Sequence, residues 1–409
     1  MSSKKSGTND RVYRIAVLLS HPIQYYTPLF RALAARQEID LTVYFCSDQG
    51  AREYTDYEFG IKVKWDIPLL EGYKYKFLKN NSPTPTIFKP LFGLINPGIV
   101  KEIIKNRYDA NIVHGWNYIT HWLSFITSII TRTPILMRAE SPLKQELLKD
   151  KWKIYVKRLL LGLLFRGVSG FLAIGSENKE FYKFYGVPEN KIFLMPYAVE
   201  NERLIEGYEN LTSLKDKIKE EIGIPLDKVI ILFSGKLIEK KRPMDLLKAY
   251  ERVDTDSKAL VYLGDGVLRK PLENYVREGN IKDVYFLGFK NQNELPKYYA
   301  MADIFVLPSF LGETWGLVVN EAMCFHLPVI VSDMVGCGKD LVKDGENGFV
   351  YPVGDIERLA NSVLRPLKEP ELRERMGRRS LEIIKKWSFK EDIEGVLSAL
   401  KFIKSYGVK

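Results

Sequence analysis

Ile304-Phe-Val-Leu307-Pro308-Ser-Phe-Leu-Gly-Glu313-Thr314-Trp315-Gly316-Leu317-Val-Val-Asn-Glu321-Ala-Met323 passes from strand to loop to helix. Ile304 to Leu307 is an unbroken apolar run of strand length, and Leu317 to Met323 takes up helical apolar spacing after Gly316. Glu313 therefore falls in the loop at the strand's carboxyl end, and Glu321 falls inside the helix. Backbone N–H groups near Thr314 to Leu317 would head that helix, where anions such as phosphate are favoured. Carboxylates accept hydrogen bonds from sugar hydroxyls. Loop, helix start and paired carboxylates together suit a ligand that is part phosphate and part polyol; a solvated helix-face Glu beside a loop Glu is the plainer account.

The same strand–loop–helix unit recurs on both sides. Val229 to Ser234, Ala259 to Leu263, Val284 to Leu287 and Val329 to Val331 are apolar runs of strand length, each followed by a loop and a helical segment. Earlier in the chain, Val12 to Leu19, Leu41 to Phe45, Asn111 to His114, Ile135 to Met137 and Phe171 to Ile174 repeat the pattern. Thr27-Pro28 opens a helix with a cap and a proline in its first turn. Strands buried on both faces read as continuous apolar runs, so each series predicts a parallel sheet covered by helices. The fold class is α/β, with two Rossmann-like doubly wound domains facing a central cleft, and ligands bind outside the carboxyl ends of such strands. The predicted boundaries are a disordered 1–10, an N-terminal domain 11–200, a C-terminal domain 201–386 and a closing segment 387–409. Asn201 to Asp227, charged and without a strand, reads as the linker. Asp48 to Pro97, rich in Tyr, Pro and Gly, reads as an irregular insertion.

A length of 409 residues suits two domains, and 46% hydrophobic with 27% charged residues is the balance of an ordinary globular chain. Three cysteines (Cys46, Cys324, Cys337) make no disulfide framework, and no Cys/His cluster has metal-ligand spacing, so a reducing, cytoplasmic setting is expected. Met1 to Asp10 is polar and lacks a signal peptide's apolar core. A net charge of +10 suits phosphorylated substrates, anionic lipid or nucleic acid. Basic residues concentrate in Lys151-Trp-Lys-Ile-Tyr-Val-Lys157-Arg158-Leu-Leu-Leu-Gly-Leu-Leu-Phe-Arg166, whose apolar run is too short to span a bilayer. The helix either packs on its own sheet with a snorkelling basic rim or lies on a membrane surface.

The strand-end loops hold the candidate chemistry. Gly235-Lys236 with Lys241 follows the first strand of the second series, Gly264-Asp-Gly266 the second, and Gly288-Phe289-Lys290 the third. Glycine permits close backbone approach, lysine neutralises phosphate, and Gly288-Phe289-Lys290 could place backbone atoms against a flat base. In the first series the loops carry His21 and Gln24, then His114, Trp116 and Asn117, then Arg138 and Glu140, a plausible site wall. Asp254-Thr-Asp256 looks like a metal motif but precedes a strand and reads as a turn. No Walker loop, Gly-x-Gly-x-x-Gly fingerprint or Gly-x-Ser-x-Gly elbow occurs.

Taken in order, Gly235-Lys236-Leu with Lys241, Gly264-Asp-Gly266, Phe286-Leu-Gly288-Phe, Glu313 through Glu321-Ala-Met, Pro328-Val-Ile, Asp340-Leu-Val and Gly345-Glu-Asn347-Gly348 resemble the retaining GT-B glycosyltransferases of family four, glycosyl transferases group 1. The likeness runs from Val229 to Trp387; His21 to Phe30 and Pro196-Tyr-Ala-Val match more loosely. It implies a GT-B fold and transfer of a sugar from a nucleoside-diphosphate sugar, with no cofactor and no metal. By position, Lys236 and Lys241 would hold the donor diphosphate, Glu313 would contact the transferred sugar, and Glu321 would bind the ribose. Backbone around Thr314, Trp315, Gly316 and Leu317 would hold phosphate, and Gly235, Gly264, Gly266 and Phe289 would complete the donor side. His21 and His114 join Lys236, Lys241 and Glu313 as catalytic candidates, while Gln24, Trp116, Asn117, Arg138 and Glu140 fall on the acceptor side. The segment from Trp387-Ser-Phe389 to Ile403 would cross back onto the first domain.

The chain departs from that pattern in places. Lys236 stands where arginine is usual, Ser20-His21-Pro22-Ile23-Gln24 where a Gly-rich loop is common, and His326 where a glycine ends the helix; His114 precedes by two residues the position at which many relatives carry a histidine. The implied acceptor is a glycan or lipid-linked hydroxyl in cell-surface polysaccharide or glycolipid synthesis, with an anionic membrane surface as a possible partner and no nucleic acid. The rival readings are an epimerase or phosphorolytic enzyme on the same architecture, and a non-catalytic basic adaptor.

Overall fold

The computed structural model describes residues 11–56 and 60–405. The expectation for 1–10 lies outside these. Strands run β1 Tyr13–Leu19, β2 Ile39–Phe45, β3 Tyr54–Asp56, β4 Ile61–Val63, β5 Lys74–Phe77, β6 Ala110–His114, β7 Ile135–Arg138, β8 Gly170–Ala173 and β9 Ile192–Leu194. They continue as β10 Val229–Ser234, β11 Lys258–Leu263, β12 Val284–Phe286, β13 Ile304–Leu307, β14 Val329–Ser332 and β15 Gly348–Tyr351. Seven pair in the order β5-β2-β1-β6-β7-β8-β9, and six in the order β12-β11-β10-β13-β14-β15. Every pairing in both sheets is parallel. The two parallel sheets that the apolar runs predict are therefore present, and the architecture is GT-B.

Each sheet reverses its winding once. The chain moves outward from β1 through β2 and β5, then returns to the other side of β1 as β6; β10, β11, β12 and β13 repeat the manoeuvre. A crevice opens at the carboxyl ends of the strands flanking such a reversal. The loops after β1 and β6 and the loops after β10 and β13 are thus the places where topology alone puts a site.

Two expectations need revising. Asp48 to Pro97 is more regular than its composition suggests, because β3 and β4 form an antiparallel hairpin and β5 joins the edge of the large sheet beside β2. β5 carries no long apolar run, since an edge strand with one exposed face need not bury both. Asn201 to Asp227 is largely helical, Asn201–Leu211 followed by Lys215–Ile222, and both helices pack on the helix Leu295–Met301.

The last helix, Phe389–Ser405, lies on β8, β9 and the helix Thr27–Ala34 of the N-terminal domain. It buries Val396, Ala399, Leu400 and Ile403 in a core cluster that also takes in Ile15, Leu136, Ile230 and Phe305 from the two sheets. Asp392 on this helix meets Arg138 at the end of β7, 3.4 Å away, each side chain 1% exposed. Removing one partner of such a pair strands a buried charge, a cost of about 3–5 kcal/mol.

Candidate functional site

The loops after β10, β11 and β12 approach one another backbone to backbone. Gly264 has φ 142°, and a Cβ there would lie 2.0 Å from the Gly235 carbonyl oxygen. Its N–H donates to the Gly288 carbonyl at 2.9 Å. Gly266 packs in the same way on Leu237. No side chain fits at Gly264, so the glycines set the floor of the cleft rather than merely turning the chain.

Above that floor is a cavity of about 410 Å³ between the domains. The C-terminal domain lines it with Gly235, Lys236, Lys241, Gly264, Phe289 and Glu321, and the N-terminal domain with His21, Gln24, Tyr25, Asp56 and Trp65. Lys236 Nζ lies 3.0 Å from the Asp56 carboxylate. Trp65 meets Phe289 edge-on, with ring centroids 6.2 Å apart. Burial pushes the His21 imidazole down to about 4, which keeps it neutral near pH 7, and its Nδ1 is 2.8 Å from Ser20 Oγ.

The two glutamates have different surroundings. Glu313, 9% exposed, accepts hydrogen bonds on Oε2 from Lys241 Nζ and from Ser309 Oγ, the latter at 3.0 Å. Glu321 lies in the helix Leu317–Cys324 and is 3% exposed. Its Oε1 accepts from Tyr25 Oη at 3.2 Å and its Oε2 from Tyr299 Oη at 2.8 Å. Burial raises its carboxyl above the usual range, against the lowering effect of the two phenols. Each oxygen keeps a second lone pair for a ligand hydroxyl. Gly316, with φ 98°, turns the loop into that helix; its carbonyl accepts from Val319 N–H at 2.8 Å, and the Leu317 and Val318 N–H groups at the helix start have no intrahelical acceptor.

The loop carrying Glu313 is clamped from the other domain. Gln145 Nε2 donates to the Glu313 carbonyl at 2.9 Å, and Gln145 Oε1 accepts from Gly312 N–H at 3.0 Å. Trp315 is 2% exposed; its indole N–H donates to Asn320 at 2.9 Å, and its ring packs on Tyr197 and Trp387. Its side chain thus serves the domain interface, leaving only its backbone for a ligand. Thr314 reaches a second cavity.

That second cavity, about 370 Å³, is enclosed by His114, Trp116, Asn117, Arg138, Glu140, Tyr26 and His121. Glu140 accepts from the hydroxyls of Tyr26 and Tyr197, which lie 2.7 Å apart. Arg138 is turned inward, with Nη1 3.1 Å from the Met195 carbonyl and 3.4 Å from Asp392. Among the described residues, His114 Nε2 and both ring nitrogens of His121 are buried without a hydrogen-bond partner. Burial pushes His114 well below its ordinary value and His121 down to about 3. Buried polar atoms left unmatched beside a cavity suit a polar ligand.

Tyr25, Asp56, Trp65, Gln145 and His121 were not singled out by the sequence reasoning. Gln145 and Asp56 sit in no motif, while the aromatic richness of the insertion was the one hint toward Trp65. No three His, Cys, Asp or Glu side chains gather as a metal site among the described residues.

The fold and its cleft define a GT-B architecture. Residues 215–382 match the family model described as glycosyl transferases group 1. It is 28% identical to the "uncharacterized glycosyltransferase" MJ1178 of Methanocaldococcus jannaschii, over 54% of this chain and 62% of that one. It is 28% identical to an Escherichia coli UDP-Gal:alpha-D-GlcNAc-diphosphoundecaprenol alpha-1,3-galactosyltransferase, over 68% of this chain and 71% of that one. Other curated relatives are matched over 42% to 58% of their own length. Among solved structures it resembles Anabaena HepE in complex with UDP and glucose, with TM-score 0.72, 18% identity, and coverage of 95% of this chain and 99% of that one.

Proposed function

We propose that the chain is a retaining, metal-independent glycosyltransferase. It moves a sugar from a nucleoside-diphosphate sugar to a hydroxyl of a glycan or lipid-linked acceptor, in cell-surface polysaccharide or glycolipid synthesis at the cytoplasmic side of a membrane. The observation that carries this reading is the junction at the β10/β13 reversal. There Lys236, Lys241 and a helix start converge with two unlike carboxylates, one on each side of the Glu313–Glu321 loop and helix. The diphosphate sits against the lysines and the helix N-terminus, the ribose on Glu321, and the transferred sugar on Glu313. The base lies beside Phe289.

The acceptor occupies the cavity of His114, His121 and Glu140 and attacks the anomeric carbon from the face the diphosphate leaves. A leaving phosphate oxygen takes the hydroxyl proton, and the lysines stabilise the developing charge. His21 and His114, held neutral by burial, act as hydrogen-bonding groups rather than as acids. UDP and glucose in the HepE structure, and the diphosphoundecaprenol acceptor named for the Escherichia coli relative, support a UDP-sugar donor and a lipid-linked acceptor.

A thermal-shift panel of nucleoside diphosphates and their sugars tests the reading, because a donor stabilises the fold by mass action. Stabilisation by one nucleotide-sugar series is expected. No shift with any of them would sink the proposal. Epimerised sugar formed without any acceptor would move it to the rival enzyme class.

A further inference from the structure

The helix Lys151–Arg166 is apolar on two sides, and the fold uses one of them. Leu161, Leu164 and Phe165 are buried, with Phe165 edge-on to Phe171 at 4.9 Å and to Trp116 at 6.2 Å. Trp152, Tyr155, Val156, Leu159, Leu160 and Leu163 are each 46–67% exposed. Their spacing of three, four, seven, eight and eleven residues from Trp152 is that of one helical face. The sequence left open a helix packed on its own sheet with a snorkelling rim; the packed side buries three apolar residues, and six others are exposed.

The exposed stripe does not end with the helix. Leu147 and Leu148 precede it, and Ile129 and Ile130 of the helix Ile119–Ile130 adjoin its far end. Ile129 Cδ1 lies 3.0 Å from where a Cβ would stand on Gly167, the residue after Arg166. Single exposed apolar residues are ordinary, but a continuous face of this length marks an interaction surface. Five basic residues and no acidic one occur between Lys151 and Arg166.

We propose that this face docks on an anionic lipid surface, with the stripe in the headgroup–acyl boundary and the exposed Lys151, Lys153, Arg158 and Arg166 on lipid phosphates. A basic helix with Trp and Leu on its apolar side has the make-up of an interfacial helix, and each basic residue near an anionic surface adds attraction. A second copy of the chain is the poorer occupant, because pairing this face with itself would oppose two acid-free basic helices. No described helix is long and apolar enough to cross a membrane, so the contact is peripheral. On its inner side the same helix packs on a wall of the second cavity, since Lys157 Nζ lies 5.7 Å from the ring centre of Trp116, which lines it. Docking therefore sets that cavity behind this helix and Trp116, on the membrane-facing side of the domain. An acceptor can then enter from the bilayer surface, a step that rests on the proposed glycosyl transfer.

The test is flotation of the full chain with phosphatidylcholine vesicles, with and without phosphatidylglycerol. The double variant Leu159→Glu, Leu163→Glu is compared with Leu226→Glu, an exposed leucine far along the chain. Thermal stability and nucleoside-diphosphate binding are measured on the same preparations. Expected are flotation with the anionic vesicles alone, a loss of at least about tenfold in bound fraction for the double variant, and no loss for Leu226→Glu. Nucleotide binding should persist in all three proteins, which keeps this proposal separate from the donor assignment. Absence of flotation, equal flotation of wild type and double variant, or a wild-type dimer that the double variant turns into monomer would each overturn it.

Discussion

Lys236 and Asp56 join the two domains across the cleft, with Nζ and carboxylate 3.0 Å apart and the side chains 25% and 13% exposed. The lysine comes from the loop after β10 and the aspartate from the end of β3, so a cation suited to a diphosphate is held by an acid from the opposite wall. A diphosphate entering the cleft competes with Asp56 for that ammonium. Lys236→Ala is expected to weaken nucleoside-diphosphate binding roughly 10- to 100-fold, the worth of one charge-assisted hydrogen bond. Asp56→Asn is expected to tighten it by a few-fold, since a partly exposed ion pair contributes under about 1 kcal/mol. Titration calorimetry decides, and unchanged affinity in Lys236→Ala would remove the lysine from the phosphate site.

Lys241 and Glu313 form the second ion pair of the site, more enclosed than the first. The proposed roles separate them in kinetics. Lys241→Ala should lower turnover about 10²- to 10³-fold, because a donor aimed at developing phosphate charge is lost from a water-poor site. Glu313→Gln keeps an acceptor for Ser309 and should leave the melting temperature within a few degrees of wild type while turnover falls by a similar factor. Rates near wild type in either variant would break the assignment of that residue.

These two pairs mark how far a linear pattern reaches. Lys236, Lys241, Gly264, Glu313 and Glu321 were legible because each lies in the loop or helix that follows a strand, and a parallel sheet aligns strand ends automatically. The partners that complete them were not. Asp56 is 180 residues from Lys236, Gln145 is 167 from Gly312, and Tyr25 is 296 from Glu321. Contacts between two domains leave no periodicity in either one. β5 was missed for a related reason, because an edge strand with an exposed face lacks the apolar run that announces a central strand. The outer side of Lys151–Arg166 was visible as composition, but only the packing distinguishes a covered apolar face from a bare one.

Glu321 carries a pH signature. Its folded value is raised above 4.5 by burial, so the native state binds a proton more tightly than the unfolded chain between those two values. Its own contribution thus favours the fold fully below about 4.5 and is lost as pH rises through the folded value. Ligand binding runs the other way, because ribose hydroxyls donate best to the ionised form. Affinity for uridine, which has no titrating phosphate, should fall on acidification before pH reaches the ordinary glutamate range. Glu321→Gln should bind uridine more weakly at neutral pH and lose that dependence. Parallel pH profiles for the two proteins would show that Glu321 does not face the ribose.

His121 sets an acid limit on the fold. It is 2% exposed, both ring nitrogens lack a partner among the described residues, and burial pushes it down from 6.5 to about 3. A base with a depressed folded value gives stability that is complete above the unfolded value and drains away as pH falls toward the folded one, because the unfolded chain takes up the proton first. At pH 5 the unfolded imidazole is some 1.5 units below its midpoint, so the loss relative to neutral pH is about 2 kcal/mol. His121→Phe keeps an aromatic ring beside Tyr118, whose centroid is 5.2 Å away, and removes the titration. Urea denaturation at pH 7.5 and pH 5 should show wild type losing about 2 kcal/mol more than the variant between the two conditions. Equal losses would mean that the imidazole charges inside the fold, and the second cavity would then be better supplied with polar partners than its buried nitrogens indicate.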